Sequence, residues 1–124
     1  PADVSDEVKE TLDELRKRWY LLSIGSSSIN AKYILDRTGI MDKFDAVSDG
    51  TNITRSKPDP EVFLTAAEFL GLKPVECGVV EDAYAGIDAA VSGHMTSIAI
   101  GDAAGYDKAD YKLSAFRDLL DIAK

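Results

Sequence analysis

Two short polar segments hold the residues of this chain whose types and spacing are best suited to chemistry. Ser56-Lys57-Pro58-Asp59-Pro60 places a lysine just before a predicted helix start, and Glu81-Asp82 follows the apolar pair Val79-Val80. A lysine in such a loop could neutralise the charge that develops on a phosphate in a transition state. Adjacent carboxylates suit Mg²⁺, which takes one or two carboxylates together with waters and phosphate oxygens. The pattern indicates a phosphate and a magnesium ion bound at one site.

A third polar segment, Gly25-Ser26-Ser27-Ser28, ends another predicted strand. The Ser26 hydroxyl and the backbone N–H groups of its neighbours could bind phosphate oxygens. Each polar segment also has a plainer explanation: the serines as helix caps, Lys57 as a solvated loop residue, and Glu81-Asp82 as an N-cap pair for the next helix. All three segments follow predicted strands, and this shared placement favours the functional interpretation.

The hydrophobic pattern predicts helices and strands that alternate along the whole chain. The predicted strands cover residues 20–24, 44–48, 77–80 and 96–100, with a short edge strand at 110–113; the predicted helices cover residues 6–18, 30–37, 60–70, 84–91 and 115–122. In the first helix, Val8, Leu12, Leu15 and Trp19 form one apolar face. Such alternation with short turns is typical of a parallel sheet covered by helices on both faces. We therefore expect an α/β fold, a three-layer α/β/α Rossmann-like domain spanning residues 1–124.

In a fold of this kind, ligands bind beyond the carboxyl ends of the strands. Because all three polar segments follow strands, the fold is expected to bring them to one edge of the sheet, although they are far apart in sequence.

Composition limits the classes of partner. The net charge of −8 and the 45% of hydrophobic residues indicate a globular chain that binds neither nucleic acid nor an anionic membrane surface. No apolar run approaches the roughly 20 residues that span a bilayer. One cysteine, Cys77, excludes an internal disulfide and suits the reducing cytoplasm, where we expect the protein to be located.

The polar segments, extended to residues 25–30, 56–60 and 79–87, resemble the later motifs of the haloacid dehalogenase superfamily. Within it, the chain is most similar to the β-phosphoglucomutase and phosphoglycolate-phosphatase-like group. The resemblance implies catalytic roles for two residues: Ser26 would bind the transferring phosphoryl group, and Lys57 would bridge that group and the nucleophile. Glu81 and Asp82 would hold Mg²⁺ as the cofactor.

The resemblance also implies further phosphate-binding residues after the first strand. Ser27 would bind phosphate beside Ser26, and Ser28 and Asn30 match positions that hold a second, distal phosphate in the mutase. Ile29 stands where the mutase can carry a lysine. The implied substrate is a small phosphorylated metabolite such as a sugar phosphate.

The family's chemistry begins with an Asp-x-Asp pair after an N-terminal strand, followed by a helical cap. The 124 residues contain no Asp-x-Asp pair. We therefore expect the C-terminal core portion of a Mg²⁺-dependent phosphotransferase that works through an aspartyl-phosphate, and we expect no turnover from this chain alone. The alternative is a non-catalytic Mg²⁺- and phosphate-binding module, or a complementation module from a truncated gene.

The resemblance implies a structural gap as well. The family's N-terminal strand lies at the centre of the sheet, between the strands that end near Ser26 and Glu81. Without it, we expect either that these strands close up, or that a second copy in a homodimer or a missing N-terminal segment fills the sheet, because unpaired strand edges recruit partners.

Overall fold

The structure is a computed structural model that describes residues 5–25, 43–48 and 53–123. These described residues form five strands: β1 (Ser23–Gly25), β2 (Ala46–Ser48), β3 (Gly78–Glu81), β4 (Thr96–Ala99) and β5 (Tyr111–Lys112). The helices are α1 (Asp6–Lys17), α2 (Glu61–Leu70), α3 (Tyr84–Ser92) and α4 (Leu119–Ile122), with 3₁₀ turns at Pro74–Glu76, Gly101–Gly105 and Phe116–Asp118. The predicted helix at 30–37 lies outside the described residues. The predicted α/β alternation is confirmed over the rest of the chain.

Helix α1 begins as its sequence predicts and ends earlier. The Ser5 hydroxyl accepts a hydrogen bond from the Val8 N–H at 3.3 Å, which caps the helix. The prediction that Trp19 continues the apolar face is wrong. The helix ends at Lys17, and Trp19 takes a left-handed conformation with φ 69°, so its side chain leaves the helix face and is 92% exposed.

The first strand also begins later than predicted. Tyr20 and Leu21 are exposed and precede the strand, which covers only Ser23–Gly25. The apolar run therefore predicted the existence of a strand here but not its boundary.

Arg18 connects the two ends of the chain. Its guanidinium Nη1 donates hydrogen bonds to the backbone oxygens of Leu120 at 2.8 Å and Ala123 at 2.6 Å. A cation at these carbonyls is favourable because the last turn of a helix leaves its C=O groups without internal partners. The contact fastens α4, the last helix, against the end of α1.

Hydrophobic clusters lie on both faces of the strands. On one face, Val79 of β3 packs against a cluster from α2, α3 and the residue before β4; its buried members are Val62, Phe63, Ala67, Ala89, Ala90 and Met95. On the other face, Val80 packs against a cluster from α1, β4, α4 and the segment after β5; its buried members are Leu15, Ile98, Leu113, Leu119 and Ala123. This arrangement is the predicted three-layer α/β/α architecture.

All strand pairs are parallel, but they form two sheets. β1 pairs with β2, and β3, β4 and β5 pair in that order. Over the described residues β1 does not pair with β3, so the prediction that these two strands close up is wrong. A cleft with a volume of about 750 Å³ lies between them, lined by Ser23 and Ile24 from one side and by Val79 and Val80 from the other.

The C-terminal segment is less regular than predicted. The expected helix at 115–122 is divided into a 3₁₀ turn and α4, and the expected edge strand shortens to Tyr111–Lys112. The carboxylate of Asp118 accepts hydrogen bonds from the N–H groups of Ser114 and Ala115, which fixes the turn before α4. Among the described helices, none is long and apolar enough to cross a membrane.

Candidate functional site

Lys57 and Glu81 meet at the carboxyl end of β3. The Lys57 Nζ lies 3.0 Å from Glu81 Oε2, and the two side chains are only 21% and 11% exposed. The ammonium also lies 4.9 Å from the centre of the Phe63 ring, in range of a cation–π contact. Lys57 is therefore a partly buried, paired lysine, and the solvated-loop explanation does not fit it.

Backbone amides orient the Glu81 carboxylate. Its Oε1 accepts hydrogen bonds from the N–H groups of Asp82 and Ala83, each at 3.2 Å, while Oε2 faces Lys57. Gly86 makes room for it: a Cβ on Gly86 would lie 2.0 Å from Glu81 Cγ and 2.1 Å from Cδ. While Glu81 keeps this position, only glycine fits at this point of α3.

Glu61 fixes the loop that leads to Lys57. Its carboxylate accepts hydrogen bonds from the backbone N–H groups of Thr54 and of Arg55, the latter at 2.7 Å, and from the Thr54 hydroxyl. These bonds, the one from Arg55 foremost, lower the pKa of Glu61. Asp59 accepts a hydrogen bond from the Glu61 N–H at 3.0 Å. The start of α2 and the lysine loop therefore hold each other in place.

The Asp82 carboxylate is exposed beside this pair. In the part of the chain that the structure describes, no hydrogen bond or ion pair engages its side chain. The explanation of Glu81-Asp82 as helix caps does not fit, because α3 has Ala83 at its N-cap position without any side-chain hydrogen bond.

The donor set fits a magnesium ion only in part. Residues 5–25, 43–48 and 53–123 contain no cluster of three or more potential metal ligands. Glu81 and Asp82 together offer the one or two carboxylates that Mg²⁺ uses when waters and phosphate oxygens complete its shell. The chemistry of these two residues therefore fits the expected metal, provided that other groups supply the remaining ligands.

The serine segment begins where β1 ends. Gly25, its last described neighbour, packs so closely on Phe63 that a Cβ there would lie 2.7 Å from the ring. Since Lys57 lies over the same ring, Phe63 is close both to the carboxyl end of β1 and to the lysine that pairs with Glu81. Ser26, Ser27, Ser28 and Asn30 lie outside the described residues, and their roles stay predictions.

Three residues of the site were missed as functional positions. They are Phe63, Glu61 and Gly86, and none of them is among the candidate site residues of the sequence analysis. Gly86 carried the clearest signal, since a glycine inside a helix has a cost that close packing can explain.

Comparison with known proteins places this geometry in a family. The family model for haloacid dehalogenase-like hydrolases matches residues 1–94. The β-phosphoglucomutase of Bacillus subtilis (strain 168) is 40% identical over 101 residues, covering 82% of this chain and 45% of that protein. The fructose-1-phosphate phosphatase of Escherichia coli (strain K12) is 34% identical over 92 residues, covering 70% of this chain and 49% of that protein.

Solved structures agree with the sequence comparison. A β-phosphoglucomutase from Clostridium difficile superposes with a TM-score of 0.85 at 31% identity, covering 94% of this chain and 55% of that one. A HAD phosphatase from Thermococcus onnurineus gives a TM-score of 0.89 at 32% identity, covering 96% and 57%. The chain thus spans about half the length of the relatives it matches. By its sequence motifs, its fold and the position of its lysine and carboxylates, the chain belongs to the haloacid dehalogenase-like hydrolase family.

Proposed function

We propose that this chain is the C-terminal core portion of a Mg²⁺-dependent phosphotransferase that acts on a small phosphorylated metabolite, such as a sugar phosphate, through an aspartyl-phosphate. The observation that supports it best is the Lys57–Glu81 pair at the carboxyl ends of β1 and β3, next to the exposed Asp82. The relatives named for sugar-phosphate chemistry support the substrate class.

The chain's own residues would act by position and charge. An ammonium group has three donors, and Glu81 engages one, so Lys57 keeps donors for a phosphoryl oxygen and for the attacking carboxylate. Glu81 holds the lysine ammonium in position through their 3.0 Å contact, while its own orientation comes from the two amides after β3. A Mg²⁺ ion held by Glu81 and Asp82 would neutralise phosphate charge when bound. Ser26 would bind the phosphoryl oxygens from the other side.

The cleft between β1 and β3 supports the second part of the proposal, that the chain is inactive until another segment completes it. The cleft walls are mainly apolar side chains and strand edges, and exposed hydrophobic residues, Tyr20, Leu21 and Val75, line it as well. Such a surface is typical of a docking site. We propose that the occupant is a β-strand like those in the part of the relatives that this chain does not match, with a carboxylate beyond its end to face Lys57.

A complementation assay tests the proposal. The part of the B. subtilis relative that this chain does not match is supplied as a separate polypeptide, with Mg²⁺ and either glucose 1-phosphate or fructose 1-phosphate. We expect no turnover from this chain alone and measurable phosphate transfer from the mixture. The Lys57→Met variant should reduce that transfer by at least a hundredfold, whereas Lys73→Met, on the loop after α2, should leave it unchanged.

Docking is measured separately from chemistry through Cys77, the one cysteine of the chain, which lines the cleft. Its reaction with a thiol reagent should slow when the added polypeptide binds. Turnover by this chain alone would refute the proposed inactivity. Protection of Cys77 without turnover would favour the non-catalytic module, and protection that rises with the concentration of this chain alone would favour a homodimer.

A further inference from the structure

Two tyrosines stack beside the carboxylates of the site. The rings of Tyr84, at the first position of α3, and Tyr106, after β4, have centres 4.1 Å apart and planes within 9° of parallel. We call this pair the tyrosine stack. Stacked aromatic pairs contribute stabilisation beyond the area that they bury. The stack therefore joins the start of α3 to the segment that follows β4.

Polar contacts hold Tyr106 in this position. Its hydroxyl donates a hydrogen bond to Asp88 Oδ1 at 2.6 Å, and Asp88 lies one helical turn after Tyr84 on the same face of α3. Lys108 lies 3.5 Å from the same carboxylate and 5.9 Å from the centre of the Tyr106 ring. Tyr106 is thus fixed at its ring and at its hydroxyl.

The segment held by the stack passes next to Asp82. Gly101 begins this segment in a left-handed conformation with φ 60°, and a Cβ on it would lie 3.8 Å from Asp82 Cβ. The Asp82 N–H is bound to Glu81, and two residues later the chain enters the stack at Tyr84. Asp82 is therefore restrained by its own amide, by the neighbouring backbone and by the residue that begins α3.

We propose that Tyr106 is a positioning residue for Asp82: through Tyr84 and Asp88 it holds the loop between β3 and α3 so that the Asp82 carboxylate faces a divalent cation. This inference rests on the proposed cation site. The orientation of Glu81 does not depend on the stack, because Lys57 and two backbone amides hold its carboxylate. The stack would set the affinity for the cation.

The test is Mn²⁺ affinity, measured by electron paramagnetic resonance on the 124-residue chain without any substrate. Substituting groups that orient metal ligands typically weakens binding about 10- to 100-fold. Because Tyr106 acts through one more residue, we expect Tyr106→Leu to weaken Mn²⁺ binding about tenfold. Tyr106→Phe keeps the ring and should stay within about threefold of the wild type. Tyr111→Leu, at an exposed tyrosine of β5, is the matched control and should change nothing.

The outcomes separate the two proposals. Unchanged affinity in Tyr106→Leu, with a wild type that binds Mn²⁺, would overturn the positioning role and leave the proposed function intact. A wild type that binds no Mn²⁺, or that binds it equally well after Asp82→Asn, would show that Asp82 forms no cation site on this chain by itself, and it would overturn the inference. Thermal unfolding of each variant, followed by circular dichroism, tests whether the fold is retained. If Tyr106→Phe binds Mn²⁺ nearly as well as the wild type while Tyr106→Leu does not, the aromatic ring is the group that positions Asp82, and a general loss of rigidity is not the cause.

Discussion

Substitution of Gly86 by alanine tests the packing of the site most directly. A Cβ on Gly86 would lie between 2.0 and 2.3 Å from three side-chain atoms of Glu81, far inside van der Waals contact. Either Glu81 must leave its position, losing Lys57 and two backbone amides, or α3 must move. Overpacking of this kind costs about 1–3 kcal/mol. Alanine gains about 0.5–1 kcal/mol over glycine within a helix, which offsets part of that cost.

The net expectation for Gly86→Ala is destabilisation by about 1–2 kcal/mol, a fall in Tm of several degrees for a chain of this size. The clash disappears when Glu81 is shortened to alanine. In the Glu81→Ala background, Gly86→Ala should therefore be neutral or stabilising by up to about 1 kcal/mol. The coupling energy of the double-mutant cycle, about 2 kcal/mol, measures the contact itself.

Urea unfolding followed by far-ultraviolet circular dichroism measures all four variants. Fluorescence is less suitable, since Trp19 is 92% exposed and reports little change on unfolding. Equal destabilisation by Gly86→Ala in both backgrounds would show that the clash does not involve Glu81. A stable single variant would refute the close approach of α3 to Glu81.

Three further changes test contacts that support the site. Glu61→Gln, which removes the charge of the acceptor and keeps one side-chain oxygen, should destabilise the chain slightly at pH 7 in urea unfolding. Because the folded pKa of Glu61 lies below 4.5, its contribution to stability is present above about pH 4.5 and should be lost as the pH falls through the folded value in acid denaturation curves. Asp110→Ala should cost about 1–3 kcal/mol in urea unfolding, because the N–H and the hydroxyl of the fully buried Ser97 would both lose the carboxylate that accepts their hydrogen bonds. The hydrogen bond to Asp88 raises the pKa of Tyr106 above 10. The contribution of this hydrogen bond to stability is therefore full below about pH 10 and is lost as the pH rises through the folded pKa. Absorbance titration should show a late-titrating tyrosine that disappears in Tyr106→Phe.

Local sequence patterns predicted most of the helices and strands. They also predicted that the segments of Lys57 and Glu81 come to the same edge of the sheet. Hydrophobic spacing and turn residues mark α2, for example, and Gly71 ends it in the left-handed conformation that favours glycine. Polar residues after parallel strands must come to one edge, which is why segments 24 residues apart meet at 3.0 Å.

What the sequence did not predict depends on contacts between distant segments. Trp19 continues the helical spacing of α1, but the helix ends at Lys17. The polarity pattern does not distinguish a helix that ends at Lys17 from one that continues to Trp19. The tyrosine stack joins residues 22 positions apart, and neither tyrosine belongs to a recognisable motif with the other. The family resemblance implied a gap between β1 and β3, but whether the two strands close across it depends on which edges find a partner, and strand propensity carries no information about that.

The cleft has a thermodynamic consequence for the chain. Anything that binds the folded form and not the unfolded one raises its stability by mass action, about 2.7 kcal/mol when the free partner is present at a hundred times its Kd. β1 and β2 are three-residue strands in a two-stranded sheet, an arrangement with little stability of its own. The melting temperature of this chain should therefore depend on the concentration of its partner, and the β1–β2 half should gain most of the protection against hydrogen exchange when the partner is added.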